Sequence, residues 1–428
     1  MSVFVYVLNM RGQPLMPCKP RKARILLKEG KAKVKKRTPF TIQLKIPTGE
    51  NKQKLNLGID PGSKKVGTAV RRSGTKEIVY ASEVTLRDNI TKKLKQRSNY
   101  RRTRRNRKTR YRQPRFLNRT RSEGWLPPSV VSKINSIKKE LDYILSILPI
   151  TRITFEYSKF DIHRLTNKFV KGFWYQKGDM YGYESTKAYV LERDNYKCQA
   201  CKGKKKDKRL EIHHVIYRRN GGTNKPSNLL TLCSTCHDLV HAEKLILTNA
   251  QLKNCKNTVD ATQVSIISKR IWKYLQTLKP KYILAKTYGY STKVKRRLLK
   301  IRKSHTLDAV AISYGRNKHY RKGLRKPRIK SNFYHKICAA KGDYQQTKGK
   351  HSEKKIPTGK IQGFRKFDLV RYLGKIYSIK GRRSTGYAEL MDQTVKNIRL
   401  RPIPKFGNLT RLQSRTSWII FPNTVQNI

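Results

Sequence analysis

Residues 54–70 read Lys-Leu-Asn-Leu-Gly-Ile-Asp-Pro-Gly-Ser-Lys-Lys-Val-Gly-Thr-Ala-Val. Leu55, Leu57 and Ile59 alternate with Asn56 and Gly58, a period of two that predicts a strand. The strand ends on Asp60, and Pro61-Gly62 then turn the chain back. Further strands are expected over residues 66–72 and 77–84. Taken alone, Asp-Pro-Gly reads as an aspartate that begins a turn. What gives Asp60 weight as a metal-binding carboxylate is the series of elements that follows it, in order, further along the chain.

The chain has 428 residues, and its 100 Lys plus Arg against 26 Asp plus Glu give a formal charge of +74. Such a charge on a compact chain is self-repelling without a polyanion. A large nucleic acid is therefore the expected partner. The basic residues run along the whole chain and do not form a tail, which argues against a binder of anionic membranes or heparin. Four of the 7 cysteines form two Cys-x-x-Cys pairs. That pattern points to metal and a reducing compartment, not to a disulfide framework. Cys18, Cys255 and Cys338 are scattered and carry no signal. No signal peptide is visible and no apolar run approaches a membrane span, so a soluble, intracellular chain without membrane contact is expected.

Residues 1–52 read as a small basic α/β module: a strand over 2–9, a rigid Pro14-Leu15-Met16-Pro17 connector, a helix over 20–29 with Gly30 as its C′ residue, and a strand over 40–46. The three strands of the opening stretch fill residues 53–88. Residues 89–121 hold eleven arginines between Arg97 and Arg121, and no acid occurs from Leu94 to Arg121. Pro114 limits the helical part to residues 91–113 or so. Arg97, Arg101, Arg102, Arg104, Arg105 and Arg107, with Arg110, leave no face of that helix uncharged. It is expected to fold onto phosphate, with Tyr100 and Tyr111 placed to stack on bases. Residues 122–160 give a helix over 129–148 with an apolar stripe, then a strand over 150–157 with Glu156 near its end. Residues 161–184 read as a linker and 185–247 as the cysteine module. Residues 248–319 give a helix over 260–278, a strand over 282–286 and a helix over 304–315, on which His305 and Asp308 share one face. Within 320–428, a basic stretch to about residue 360 reads as a linker or an RNA-ordered segment. Short alternating runs then follow, split by turns at Gly374 and 381–386, and suggest a small antiparallel barrel.

Acids at two strand ends and on a late helix, in this order of elements, resemble an RNase H-type (RuvC-type) nuclease. Phosphodiester cleavage of that kind needs carboxylates holding two divalent ions about 4 Å apart. The resemblance gives Asp60 the bridging position between two Mg²⁺, with Glu156 and Asp308 completing the shells and His305 as base or electrostatic stabiliser. In the inserted module, Cys198, Cys201, Cys233 and Cys236 have the spacing of a closed, structural Zn²⁺ site. The zinc is expected to fix a strand pair against a short helix. Within that frame, Glu211-Ile212-His213-His214, Asn228 and Cys236-His237 resemble an HNH (ββα-metal) endonuclease. That implies His214 as general base, His213 and His237 (with His241 as a possible third) holding one Mg²⁺, and Asn228 orienting His214. A plain zinc ribbon that only binds nucleic acid has no need of this set.

The full expectation is an α/β multidomain chain. It has a split RNase H-like core, an inserted arginine-rich bridge helix, an inserted HNH zinc module, a small N-terminal α/β module and a C-terminal β-rich domain. This architecture, with the Pro14-Leu15-Met16-Pro17 module, resembles the IscB family of transposon-encoded, RNA-guided nucleases related to type II CRISPR effectors. The resemblance implies a monomeric protein in a ribonucleoprotein with a large guide RNA (omega RNA), in a prokaryotic cytoplasm. It further implies a double-stranded DNA target beside a short adjacent motif, the HNH site cutting the guide-paired strand and the RuvC-type site the displaced one. By domain order, residues 364–428 are expected to read the motif, with Arg382 and Arg383 on a loop over 380–384 as candidate readers. Two other readings stand beside this one: a nuclease of the same two sites that works without RNA, and a non-enzymatic RNA-binding protein of ribosomal type.

Overall fold

In a computed structural model of the chain, the described residues are 4–49, 51–106, 120–166, 169–178, 180–204, 207, 209–220, 222–249, 251–252, 258–315, 327, 333–340, 344–346, 353–392, 397–398, 400 and 402–423. The chain divides into two compact units, residues 1–158 with 266–428, and residues 159–265. The first opens with β1 (Tyr6–Leu8), α1 (Pro20–Lys28), β2 (Ala32–Lys36) and β3 (Thr41–Leu44). β3 lies between a parallel β1 and an antiparallel β2, and β2 is a strand that the sequence did not announce. Next come β4 (Leu55–Pro61), β5 (Lys65–Arg72), β6 (Ile78–Thr85), α2 (Ile90–Asn106), α3 (Pro128–Leu145) and β7 (Ile150–Glu156).

In the second unit, α4 (Ile162–Thr166) lies in the stretch read as a linker. α5 (Thr186–Arg193) precedes an antiparallel hairpin, β8 (Leu210–His214) with β9 (Leu229–Cys233), and α6 (Ser234–His241) follows it. α7 (Val259–Gln276) returns the chain to the first unit. There the chain continues with β10 (Ile283–Thr287), α8 (Gly289–Leu298), α9 (His305–Ser313), β11 (Phe333–Cys338), β12 (Tyr344–Gln346) and β13 (Glu353–Lys355). It closes with β14 (Leu369–Tyr372), β15 (Lys375–Arg382), β16 (Ala388–Met391), β17 (Asn397–Ile398), β18 (Thr410–Gln413) and β19 (Trp418–Asn423).

Seven strands form the main sheet in the order β10-β7-β4-β5-β6-β11-β19. β4, β5 and β6 are an antiparallel meander, and β7 and β10 add parallel strands beside β4. Leu57, Ile59, Ile153 and Phe155 face a core completed by Ile137, Leu141 and Ile144 of α3 and Ile267, Ile271 and Leu275 of α7. Ala309 and Val310 of α9 pack with Ala69, Ile78 and Ala81. Among the described residues no helix is long and apolar enough to cross a membrane.

Two expectations about the C-terminal third are corrected. The domain boundary at residues 319/320 does not hold, because β11 and β19 belong to the main sheet, β11 parallel to β6 and β19 antiparallel to β11. β11 escapes detection because Lys336 interrupts its apolar pattern. That lysine is fully buried, and its Nζ donates to both Glu140 carboxylate oxygens (2.9 and 2.7 Å) and to Tyr80 Oη (2.7 Å). Glu140 also accepts from Ser82 Oγ at 2.7 Å, so every member of the group is satisfied. The five strands of the C-terminal module form an antiparallel sheet in the order β17-β16-β15-β14-β18, inserted between β11 and β19. Among the described residues no pairing joins its edges into a barrel.

Removing one partner of a buried, hydrogen-bonded ion pair costs about 3–5 kcal/mol. Lys336→Ala is therefore expected to lower the urea midpoint by that equivalent. The double variant Lys336→Met/Glu140→Leu should recover most of the loss. Equal stability of Lys336→Ala and the unaltered chain would show that the pair does not hold β11 to α3.

Candidate active sites

Alternation along β4 sends Leu55, Leu57 and Ile59 into the core and leaves Gly58 and Asp60 on the face that α9 covers. Two glycines allow that helix its close approach. A Cβ on Gly58 would lie 2.2 Å from the Ala309 carbonyl oxygen, and one on Gly67 would lie 1.9 Å from that of His305. Ser304 caps α9 by accepting from the Leu307 N–H at 3.2 Å. His305 and Asp308 thus sit in the first turn, beside the ends of β4 and β7.

The structure brings Asp60, Glu156, His305 and Asp308 into one group. Asp60 Oδ2 is 2.7 Å from His305 Nδ1. Glu156 accepts from Thr292 Oγ1. Arg296 Nη1 donates to Asp308 Oδ1 at 2.8 Å and Oδ2 at 3.2 Å. Burial, with the Asp60 charge and more weakly that of Asp308, raises the Glu156 carboxyl to about 7. Burial raises Asp308, which Arg296 offsets and the Asp60 charge reinforces. The hydrogen bond to Asp60 raises His305 above the ordinary histidine value. In this state His305 is a charge partner of Asp60 and a poor base. The buried Asp60 and the half-buried Glu156 and Asp308 repel one another; a cationic occupant would relieve that repulsion, and oxygen donors suit Mg²⁺. Thr292 and Arg296 belong to α8, a helix absent from the sequence reading. Their spacing of four on a basic helix was the available signal.

In the second unit, Cys198, Cys201, Cys233 and Cys236 bring their sulfurs within 4.8 Å of one another. Burial raises the thiols of Cys233 and Cys236, the latter further raised by its cysteine neighbours. Crowded neutral thiols become thiolates when a metal ion joins them, so this set fits Zn²⁺.

His213, on β8, and His237 and His241, one turn apart on α6, bring ring nitrogens within 4.8 Å of one another. Burial, with the charges of His237 and His241, lowers His213 to about 4, which keeps it neutral as a ligand must be. Its buried Nδ1 has no hydrogen-bond partner. Glu211 Oε2 lies 3.0 Å from His237 Nδ1, the outer carboxylate that fixes a metal-binding imidazole, and this partner went unassigned in the sequence. His241 stands with the other two rings, at Nε2–Nε2 3.2 Å from His237. Imidazoles suit Zn²⁺ or Ni²⁺ better than Mg²⁺, which prefers oxygen. The expected pair His213 and His237 does come together, with His241 as a third ring, and a Mg²⁺ held there would need oxygen donors from water or phosphate to complete its shell.

His214 is half-buried at the end of β8. Its Nε2 lies 3.0 Å from Asn224 Oδ1 and 3.3 Å from Arg218 Nε. Asn228 does not orient the ring. Its Oδ1 accepts from Ile216 N (2.9 Å), and its Nδ2 donates to the carbonyls of Ile216 (3.0 Å) and Thr223 (2.9 Å). The buried amide holds the hairpin loop, and the loop holds Asn224.

On α2, Arg97, Arg101, Arg102 and Arg105 are exposed. Arg104 lies on the same helix; Arg107, Arg110 and Tyr111 fall outside the described residues. Arg382 is not a surface reader: it is 8% exposed at the end of β15, and its Nη1 donates to the Gly359 carbonyl at 2.7 Å. The expected loop over 380–384 is largely strand, because the register shift between Ile379 and Gly381 absorbs the glycine that suggested a turn. Arg383 stays exposed and pairs with Glu389 at 3.0 Å.

A family model described as "RRXRR protein" matches residues 5–178, a span that includes Arg101-Arg102-Thr103-Arg104-Arg105. One described as "HNH endonuclease" matches residues 198–243, so the chain carries an endonuclease module. No curated protein matches. Among solved structures, Streptococcus thermophilus Cas9 with the GGAA PAM is 11% identical at a TM-score of 0.29, over 60% of this chain and 32% of that one. The same protein with the AGGA PAM gives 11% and 0.27, over 59% and 32%. With the AGAA PAM it gives 9% and 0.28, over 61% and 32%. This chain thus spans about a third of the length of those structures.

Proposed function

We propose that this chain, IscB-like in joining an RRXRR segment to an HNH endonuclease module, is an RNA-guided endonuclease that cuts both strands of DNA. The observation that carries the reading is the presence of two separate metal-fitting constellations, the carboxylates at the ends of β4 and β7 with α9, and the imidazoles of β8 and α6. The strand order β6-β5-β4-β7-β10, with acids at two strand ends and a helix covering them, supports an RNase H-type, RuvC-like assignment for the first. The HNH match supports the second.

Divalent ions bound at these sites would supply an activated water and neutralise the leaving oxygen. The chain's own residues do the rest. Asp60, Glu156 and Asp308 hold the ions at the first site, and Thr292 and Arg296 set the carboxylates. At the second, His213, His237 and His241 form the metal-holding face. His214, turned by the Asn224 amide beside its Nε2, takes the proton from water. The HNH site acts on the guide-paired strand and the RuvC-like site on the displaced one.

A +74 chain of this size reads a long DNA site through a guide, which it grips by its backbone. The bridge arginines hold that guide, and the C-terminal sheet, with Arg383, meets the motif duplex. Purified protein is expected to carry one abundant long RNA. Replacing Arg101, Arg102 and Arg105 together by alanine should weaken its binding and flatten the salt dependence by about 0.7–0.9 in log–log slope for each phosphate no longer neutralised. Protein that purifies without RNA and binds long RNAs indifferently would refute the guided reading.

A further inference from the structure

We propose that the outward face of α8 is a track for single-stranded DNA, leading one strand into the carboxylate site; the proposal rests on reading that site as a nuclease centre. The two faces of this helix do different things. Thr292, Arg296 and Leu299, at i, i+4 and i+7, point inward: the first two hold Glu156 and Asp308, and Leu299 is buried. The opposite face is thereby fixed in register with the reacting carboxylates. It carries Tyr290, 79% exposed, and then Lys293 and Arg297, both exposed, at i, i+3 and i+7. Tyr288, the N-cap residue, is 50% exposed. Gly289 separates the two rings, and a Cβ there would come to 3.4 Å from Glu156 Oε1. The two tyrosines are thus the chain neighbours, on either side, of the position that meets Glu156.

An exposed aromatic pair followed by cations, over about 10 Å of helix, matches the chemistry of a strand with free base faces and a phosphate backbone. A duplex keeps its base faces stacked on one another, so the aromatic pair selects single-stranded DNA. The phosphates then run past Lys293 and Arg297.

The test uses the full chain with its guide RNA and single-turnover nicking of each strand of a target plasmid. Tyr288→Ala/Tyr290→Ala is expected to slow cutting of the displaced strand about tenfold, within the range of lost base stacking. Cutting of the guide-paired strand should not change. Tyr288→Phe/Tyr290→Phe should restore the rate, because the ring and not the hydroxyl is used. Abasic nucleotides at the cut region should slow the unaltered protein by the same factor and leave the double alanine variant no slower. Lys293→Gln/Arg297→Gln should flatten the salt dependence of the same cut. Unchanged displaced-strand cutting in the double alanine variant, or equal slowing of both strands, overturns the track. Asp60→Ala is the control for the underlying reading: if it still cuts the displaced strand, the site assignment fails and the track falls with it, whereas loss of that cut beside normal tyrosine variants overturns the track alone.

Discussion

Asp60→Ala is expected to abolish cutting of one DNA strand and leave cutting of the other intact, with His214→Ala doing the reverse. Asp60 ends the central strand, is nearly buried, and meets His305 at 2.7 Å beside the carboxylates of Glu156 and Asp308. On the function proposed above, its removal takes a ligand from the carboxylate set that would hold the metal ions. Loss of even an outer partner of a metal ligand costs about 10–100-fold, so the loss of a ligand is expected to exceed a hundredfold in rate. His214 has no part in that set. It belongs to the second unit, where Asn224 turns the ring and the imidazoles of His213, His237 and His241 face one another. Each single variant should therefore be a nickase, and Asp60→Ala/His214→Ala should cut neither strand. Strand-labelled substrates on denaturing gels measure this directly. A single variant that still cuts both strands would mean that the two constellations do not work on separate strands.

The second large effect is the loss of the Cys198-Cys201-Cys233-Cys236 site. The apolar cluster that joins the hairpin to α6 is small: among the described residues its five buried members are Cys198, Cys233 and Cys236 with Leu230 and Leu232. So little apolar area cannot order the hairpin and helix by itself, and a structural Zn²⁺ contributes folding free energy outright. Cys233→Ser, or chelation, is expected to strip amide hydrogen-exchange protection from β8, β9 and α6. The main sheet, which keeps its own core around Leu57, Ile59 and Phe155, should stay protected. Cutting by the histidine module should vanish with the protection. Full protection of β8 and β9 after chelation, or purified protein with no stoichiometric zinc, would contradict a structural metal at the four cysteines.

The parts of this molecule that were legible in the sequence are those whose signal is local. Leu55, Leu57 and Ile59 announce β4 by alternation, and the two Cys-x-x-Cys pairs come together as their spacing implies. Asp60, Glu156 and Asp308 were legible as ends of elements, and only their order made them a set. What escaped depends on partners distant in sequence. β11 carries a lysine that is tolerable in a core strand only because Glu140, 196 residues earlier, receives it. α8 has few apolar residues, and its order follows from Thr292 and Arg296 meeting carboxylates on other elements. Arg382 looked like a surface arginine in a glycine-flanked loop, yet the Gly359 carbonyl draws it inward. Asn228 was credited with a bond to His214 that Asn224 makes, since sequence order does not reveal which amide a hairpin loop turns toward the ring.

The central claim is that RNA chooses where this protein cuts. The direct measurement is cleavage of a randomised target library by the purified complex before and after the guide segment of its bound RNA is replaced. The account predicts that the cut site moves to the new complementary sequence and that RNA-free protein cuts at no fixed sequence. Cleavage at one unchanged sequence, with or without RNA, would contradict it.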